Sequence, residues 1–183
     1  MQVYVLNRQS AVRVNPSRLR RLLRYLLPRA LRSRKTETWH EAGLVLVNDA
    51  DMRRMNLRCF RRHGTTDVIT FRYPPQPGIC AGWSGEILVN VGEALRVGAR
   101  RGGEQRELAL YVAHGCDHLA DADDETPAGY GRMRRRELRW LREAAARRLT
   151  DGLLAPCGAR RSRAERRGRG ARMPGTGAPE GAR

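Results

Sequence analysis

The hydrophobic period changes several times along this chain, and that change limits the folds open to it more than any other feature. Short apolar runs at residues 3–6, 43–47 (GLVLV), 68–71 and 86–89 fit strands. Leu19, Leu22, Leu23, Leu26 and Leu27 instead recur at helical spacing with arginines between them. Asn15 followed by Pro16 marks the start of that helix, an N-cap with proline at the first helical position. Helical patterning returns over residues 48–56, where Met52 and Met55 follow an Asp-rich start, and again over 91–97, 104–119 and 132–149. Strands fall mostly early and helices mostly late. This order predicts an α+β fold in which a small mixed four-stranded sheet packs with about five helices.

A length of 183 residues suits one domain plus a tail. The expected division is a folded domain over residues 1–150 and an Arg/Gly-rich segment over 151–183. From Gly158 onward there are eight arginines against Glu165 and Glu180, and hardly any large apolar residue. Such a stretch cannot offset the entropy of ordering itself, so a disordered tail is expected, with tethering of RNA as its functional reading. The whole chain carries 36 basic and 19 acidic residues, a formal charge of +17, and Lys35 is the only lysine. A polyanionic partner explains that balance better than a small acidic substrate does. Cys59, Cys80, Cys116 and Cys157 form no CxxC pair, which argues against a disulfide framework or a zinc ribbon. No apolar run approaches the roughly 20 residues of a membrane span, and MQVYVLNRQ lacks the regions of a signal peptide, so a soluble cytoplasmic protein is expected.

The stretch that carries chemistry is YVAHGCDHLADADDET, residues 111–126. His114 and His118 stand four apart, so on a helix both imidazoles project from one face about one turn apart. That pair suits two ligands of one zinc ion, which needs a third protein ligand if a position is to stay open for water. Asp121, Asp123 and Asp124 are the candidates. The same residues also fit two helix histidines beside an acidic loop that caps the next helix. The spacing has a likeness to zinc peptidases whose motif begins HExxH, but their general base follows the first histidine, and Gly115 stands there. A peptidase is disfavoured on mechanism.

With Gly115 in place, HGCDHLADADD over residues 114–124 resembles HGxLHLxGYDH, the signature of the YbeY family of metal-dependent endoribonucleases. His114, Gly115, His118, Leu119 and Asp123 match, while Asp124 replaces the third histidine. Met55 and Asn56 resemble the family's Leu-Asn pair, TTDVITF over 65–71 its TDVLSF strand, and Gly85, Glu86 and Ile87 its Gly-Asp-Ile strand start. The likeness covers about residues 1–150 and excludes the tail. Asp117 and Asp121 stand where the family favours leucine and glycine, and Ala122 replaces tyrosine.

The resemblance implies one zinc ion per chain on His114, His118 and Asp124. Asp121 is the alternative third ligand, because a helix that ran on would place it on the face of both histidines. It implies cleavage of single-stranded RNA in ribosomal RNA maturation, at the 3′ end of the small-subunit rRNA, and in ribosome quality control, with RNA and the ribosome as partners. The family's active-site arginine falls on Phe60 in an ungapped alignment, which leaves Arg61 as the candidate. A non-catalytic ribosome assembly factor with a structural metal is the alternative. His40 and His63 are expected at the surface or in packing, and Trp39, Trp83 and Trp140 in the interior.

Overall fold

The computed structural model describes residues 1–76, 78, 80–122 and 124–155, so the proposed tail from residue 156 onward lies outside the described residues. Strand β1 (Gln2–Asn7) precedes helix α1 (Pro16–Ala30), and a 3-10 turn (Leu31–Ser33) leads to β2 (Trp39–Val47). Then come α2 (Asp49–Phe60), β3 (Val68–Tyr73), β4 (Trp83–Asn90), α3 (Val91–Gly98), α4 (Glu104–Leu119) and α5 (Pro127–Ala146). The expected α+β class, four strands and five helices are present among the described residues.

The sheet order is β1-β2-β4-β3, with β1, β2 and β4 parallel and β3 antiparallel to β4. Because side chains alternate along a strand, the central β2 serves two cores at once. Ala42, Leu44 and Leu46 join Ile87, Val89 and the five α1 leucines in the main core, and Val45 and Val47 join Met52, Ile69 and Leu88 in a smaller one. Burial on both faces explains why GLVLV is apolar without alternation.

Helix α4 is the central element. From Leu108 to Leu119 every residue but His114 and His118 is buried. Its approach to the sheet is set by Gly115, where a Cβ would lie 2.2 Å from Ile87 Cγ2 and 3.2 Å from Val68 Cγ1. The residue after His114 is thus glycine because the helix lies against β4 there.

Several boundaries differ from expectation. Strand β2 begins at Trp39, four residues ahead of the apolar run, and α2 extends to Phe60. Helix α5 starts at Pro127 instead of residue 132, since Thr126 accepts the Gly129 N–H at 3.0 Å and Pro127 follows the cap. Those two start signals outweigh the helix-weakening Gly129 and Gly131. The helix ends at Ala146 instead of 149 because Arg148 turns left-handed (φ 56°) and the Leu149 N–H bonds Ala144 O at 2.9 Å. Beyond residue 150 the chain returns to the body: Leu153 O accepts from Asn15 N at 2.8 Å, and Leu153 is fully buried. Trp39 and Trp140 are buried as expected, and Trp83 is half-buried. His40 and His63 are exposed. Cys59, Cys80 and Cys116 are free thiols, and no described helix is long and apolar enough to cross a membrane.

Candidate metal centre

His114 and His118 project from the last turns of α4 toward the one face of that helix left partly open. Their Nε2 atoms lie 3.1 Å apart. Asp124, in the loop to α5, brings its Oδ2 to 3.7 Å from His114 Nε2 and 3.5 Å from His118 Nε2. The point equidistant from the three atoms is roughly 2.0 Å from each, the length of a zinc bond to imidazole nitrogen or carboxylate oxygen. These three residues form a group able to hold a metal ion, while Asp123 lies outside the described residues.

The ring tautomers fit the same purpose. His114 Nδ1 is 2.7 Å from Oε1 of Glu137, a carboxylate only 1% exposed on α5. The Nδ1–H donates to it, which leaves the Nε2 lone pair facing His118 and Asp124. Burial alone would lower the His114 pKa, but the Glu137 hydrogen bond and charge more than reverse this and raise it. His118 is lowered, first by burial and then by the charge of His114, and it also bonds the Ala122 backbone. Sequence reasoning missed Glu137. Its signal was a lone acid in the apolar stripe of α5, at helical spacing with the buried Met133, Trp140, Leu141 and Ala144.

The flank of the site mixes arginines with carboxylates. A cavity of about 50 Å³ is lined by His114, Glu137, Asp67, Tyr130 and Arg134 among others, and an adjoining one of about 250 Å³ adds Arg100 and Arg101. Asp67 is placed by the preceding loop, which buried Asn90 staples by donating to Thr65 Oγ1 (2.8 Å) and Thr66 O (3.1 Å), while Asn56 donates to Gly64 O (3.2 Å). A larger cavity of about 770 Å³ against α4 and α5 is lined by none of His114, His118 and Asp124 and is walled by Arg135, Leu138 and Arg139 among others.

The sequence matches the family described as endoribonuclease YbeY over residues 4–145. The chain belongs to the YbeY family. Curated relatives named endoribonuclease YbeY include one from a species of Anaeromyxobacter, 36% identical over 102 residues, which cover 53% of this chain and 50% of that relative. One from Salinibacter ruber is 34% identical over 125 residues, 65% of this chain and 79% of the relative. One from Deinococcus radiodurans is 31% identical over 118 residues, 63% and 76% of the two chains. The chain thus spans about half the length of the Anaeromyxobacter relative.

Set beside the YbeY signature, the departures fall at the end of α4. Asp117 is 1% exposed, and Arg136 holds it with Nε at 2.9 and 3.0 Å and Nη2 at 2.6 Å. Burial raises its pKa more than Arg136 lowers it. Asp121 does not extend the helix, which ends at Leu119; it turns left-handed (φ 56°), and its carboxylate pairs with Arg34 and Arg72. The position where the YbeY signature has glycine is left-handed here with an aspartate, a residue that tolerates this conformation better than most. Of the two candidates for third ligand, Asp124 faces the histidines and Asp121 faces the arginines. Arg61 is exposed at the C-cap of α2 in a left-handed conformation, its N–H on Leu57 O at 3.1 Å.

Proposed function

We propose that this chain is a zinc-dependent endoribonuclease that cuts single-stranded RNA during ribosomal RNA maturation, at the 3′ end of the small-subunit rRNA, on the cytoplasmic ribosome. The convergence of His114 Nε2, His118 Nε2 and Asp124 Oδ2 on zinc-like distances, beside a cleft that offers Arg100, Arg101 and Arg134, carries this reading. Three mixed nitrogen and oxygen ligands suit zinc and leave a fourth position for water or a phosphoryl oxygen. A bound zinc ion supplies a water of lowered pKa and polarises the phosphoryl group.

Side chains of this chain do the remainder. Glu137 orients His114 and keeps its proton on Nδ1. Arg134, Arg100 and Arg101 hold phosphates along the cleft. Arg61, exposed at the C-cap of α2 and outside the lining of that cleft, is the further candidate for a phosphate contact. Tyr130, 53% exposed in the cleft wall, offers its ring to an unstacked base, which favours a single strand over a duplex. The domain over residues 1–150 would cut, and the basic segment over 151–183 would add salt-sensitive attraction to RNA.

The test is cleavage of one RNA sequence as a single strand and as a duplex, by protein depleted of metal with a chelator and then restored with zinc. Zinc-restored cutting confined to the single strand is expected. RNA that is bound but never cut, with or without zinc, would establish the assembly factor instead.

A further inference from the structure

Residues 120–122 lead out of a buried helix toward Asp124, which must be presented to two histidines on that helix. The end of α4 shows what holds them. The Asp121 N–H bonds His118 O at 2.9 Å and the Ala122 N–H bonds Asp117 O at 3.2 Å, a left-handed cap that reverses the chain. Asp121, in the left-handed position, is engaged from two other elements. Arg34, just after the 3-10 turn, reaches it with Nη2 and donates from Nε to Ala120 O at 3.3 Å. Arg72, on β3, reaches it with Nη1.

Both arginines are themselves fixed. Glu37 accepts from Arg72 Nη2 at 3.0 and 3.1 Å and from Arg34 Nη1 at 3.4 Å. The Arg72 guanidinium lies 4.6 Å over the Trp83 ring and 5.8 Å over that of Trp39. Its cross-strand partner on β4 is Gly85, where a Cβ would meet Leu119 at 2.8 Å and Trp39 at 3.1 Å. The arginine side chain is only 16% exposed, so its terminal nitrogens have little freedom to point elsewhere.

We infer that Asp121, Arg34 and Arg72 form a clamp that positions the Asp124 loop for metal binding: they are positioning residues, and Asp121 is not a ligand. This rests on the reading that His114, His118 and Asp124 hold zinc. A glycine, as in the YbeY signature, could take this left-handed turn without strain; here aspartate takes it and adds a handle for two arginines.

For the two arginines, electrostatics alone predicts the opposite sign from the clamp, which makes Arg34→Met and Arg72→Met the deciding variants. Removing a nearby positive charge should strengthen the hold on a cation, whereas loosening the ligand loop should weaken it. Zinc release from full-length zinc-loaded protein is followed after adding excess chelator, for Arg34→Met, Arg72→Met, Asp121→Asn and Asp121→Gly. Release roughly tenfold faster than wild type is expected in all four, the scale seen when partners of a metal ligand are lost. Unchanged or slower release in both arginine variants overturns the clamp. So does wild-type release from Asp121→Gly, since glycine keeps the turn and drops only the arginine pairing.

Hydrogen exchange of amides 119–122 in the metal-free protein supplies the second readout. The clamp predicts faster exchange there in Arg34→Met and Arg72→Met with α4 unchanged, and equal exchange overturns it. A wild type that holds no zinc would refute the metal reading, while this exchange result still decides the clamp. Arg34 is 32% exposed, so its replacement keeps the fold even if Arg72→Met does not.

Discussion

The two histidines and the carboxylate facing them are built on opposite principles. His114 and His118 ride on a helix buried almost all round, pressed onto Ile87 and backed by Glu137. Asp124 rides on a short turn held by a backbone cap on α4 and by ion pairs from Arg34 and Arg72 to Asp121. Packing fixes the first pair cheaply, because displacing α4 would open the whole core. The turn depends on charged groups that compete with water, and its carboxylate Asp121 is 49% exposed. A site built this way has two fixed side chains and one that is adjustable.

The contrast can be broken most severely on the helix side. His114→Ala with His118→Ala should leave no bound metal by elemental analysis, and stoichiometric zinc in that double variant would refute the site. Glu137→Gln keeps a hydrogen-bond acceptor but removes the charge behind His114; metal affinity, read by chelator competition, should fall roughly 10- to 100-fold. Gly115→Ala should destabilise the fold by about 1–3 kcal/mol in a denaturant titration, because its Cβ overlaps Ile87 Cγ2. Combining it with Ile87→Ala should cost less than the sum of the two single changes, and strict additivity would show that α4 does not bear on β4 there.

The smallest effect is in acid. Asp121 is held below the ordinary carboxylate value, first by its hydrogen bond to Arg72, so its stabilisation is complete above about pH 4 and is lost as pH falls through the lowered value. Asp49, lowered to about 2 by Arg96 and Asn90, behaves the same way. Asp117 has the opposite sign: its pKa is raised by burial, so protonation in acid relieves α4. Amide exchange below about pH 4 should therefore accelerate in residues 120–122 before it does in α4, and the reverse order would contradict the contrast.

What the sequence made legible follows the same divide. The span of α4, its two histidines on one face, the Asn15 cap and the GLVLV strand all rest on local pattern, and all are present. Glu137 was hidden because its meaning depends on which residue of another helix it meets. The start of α5 was hidden by Gly129 and Gly131, whose weak propensity is overruled by Thr126 and Pro127. Asp121 is the most instructive case. Helical spacing made it a plausible ligand, but the turn after Leu119 and two arginines distant in sequence direct it elsewhere, and no local pattern encodes that.

The most direct test of the account is metal content by mass spectrometry on purified wild type and Asp124→Ala, with cleavage of a single-stranded RNA measured on the same samples. Wild type should hold about one zinc per chain, and Asp124→Ala should lose both zinc and cleavage. A full complement of zinc together with undiminished cleavage in Asp124→Ala would contradict it.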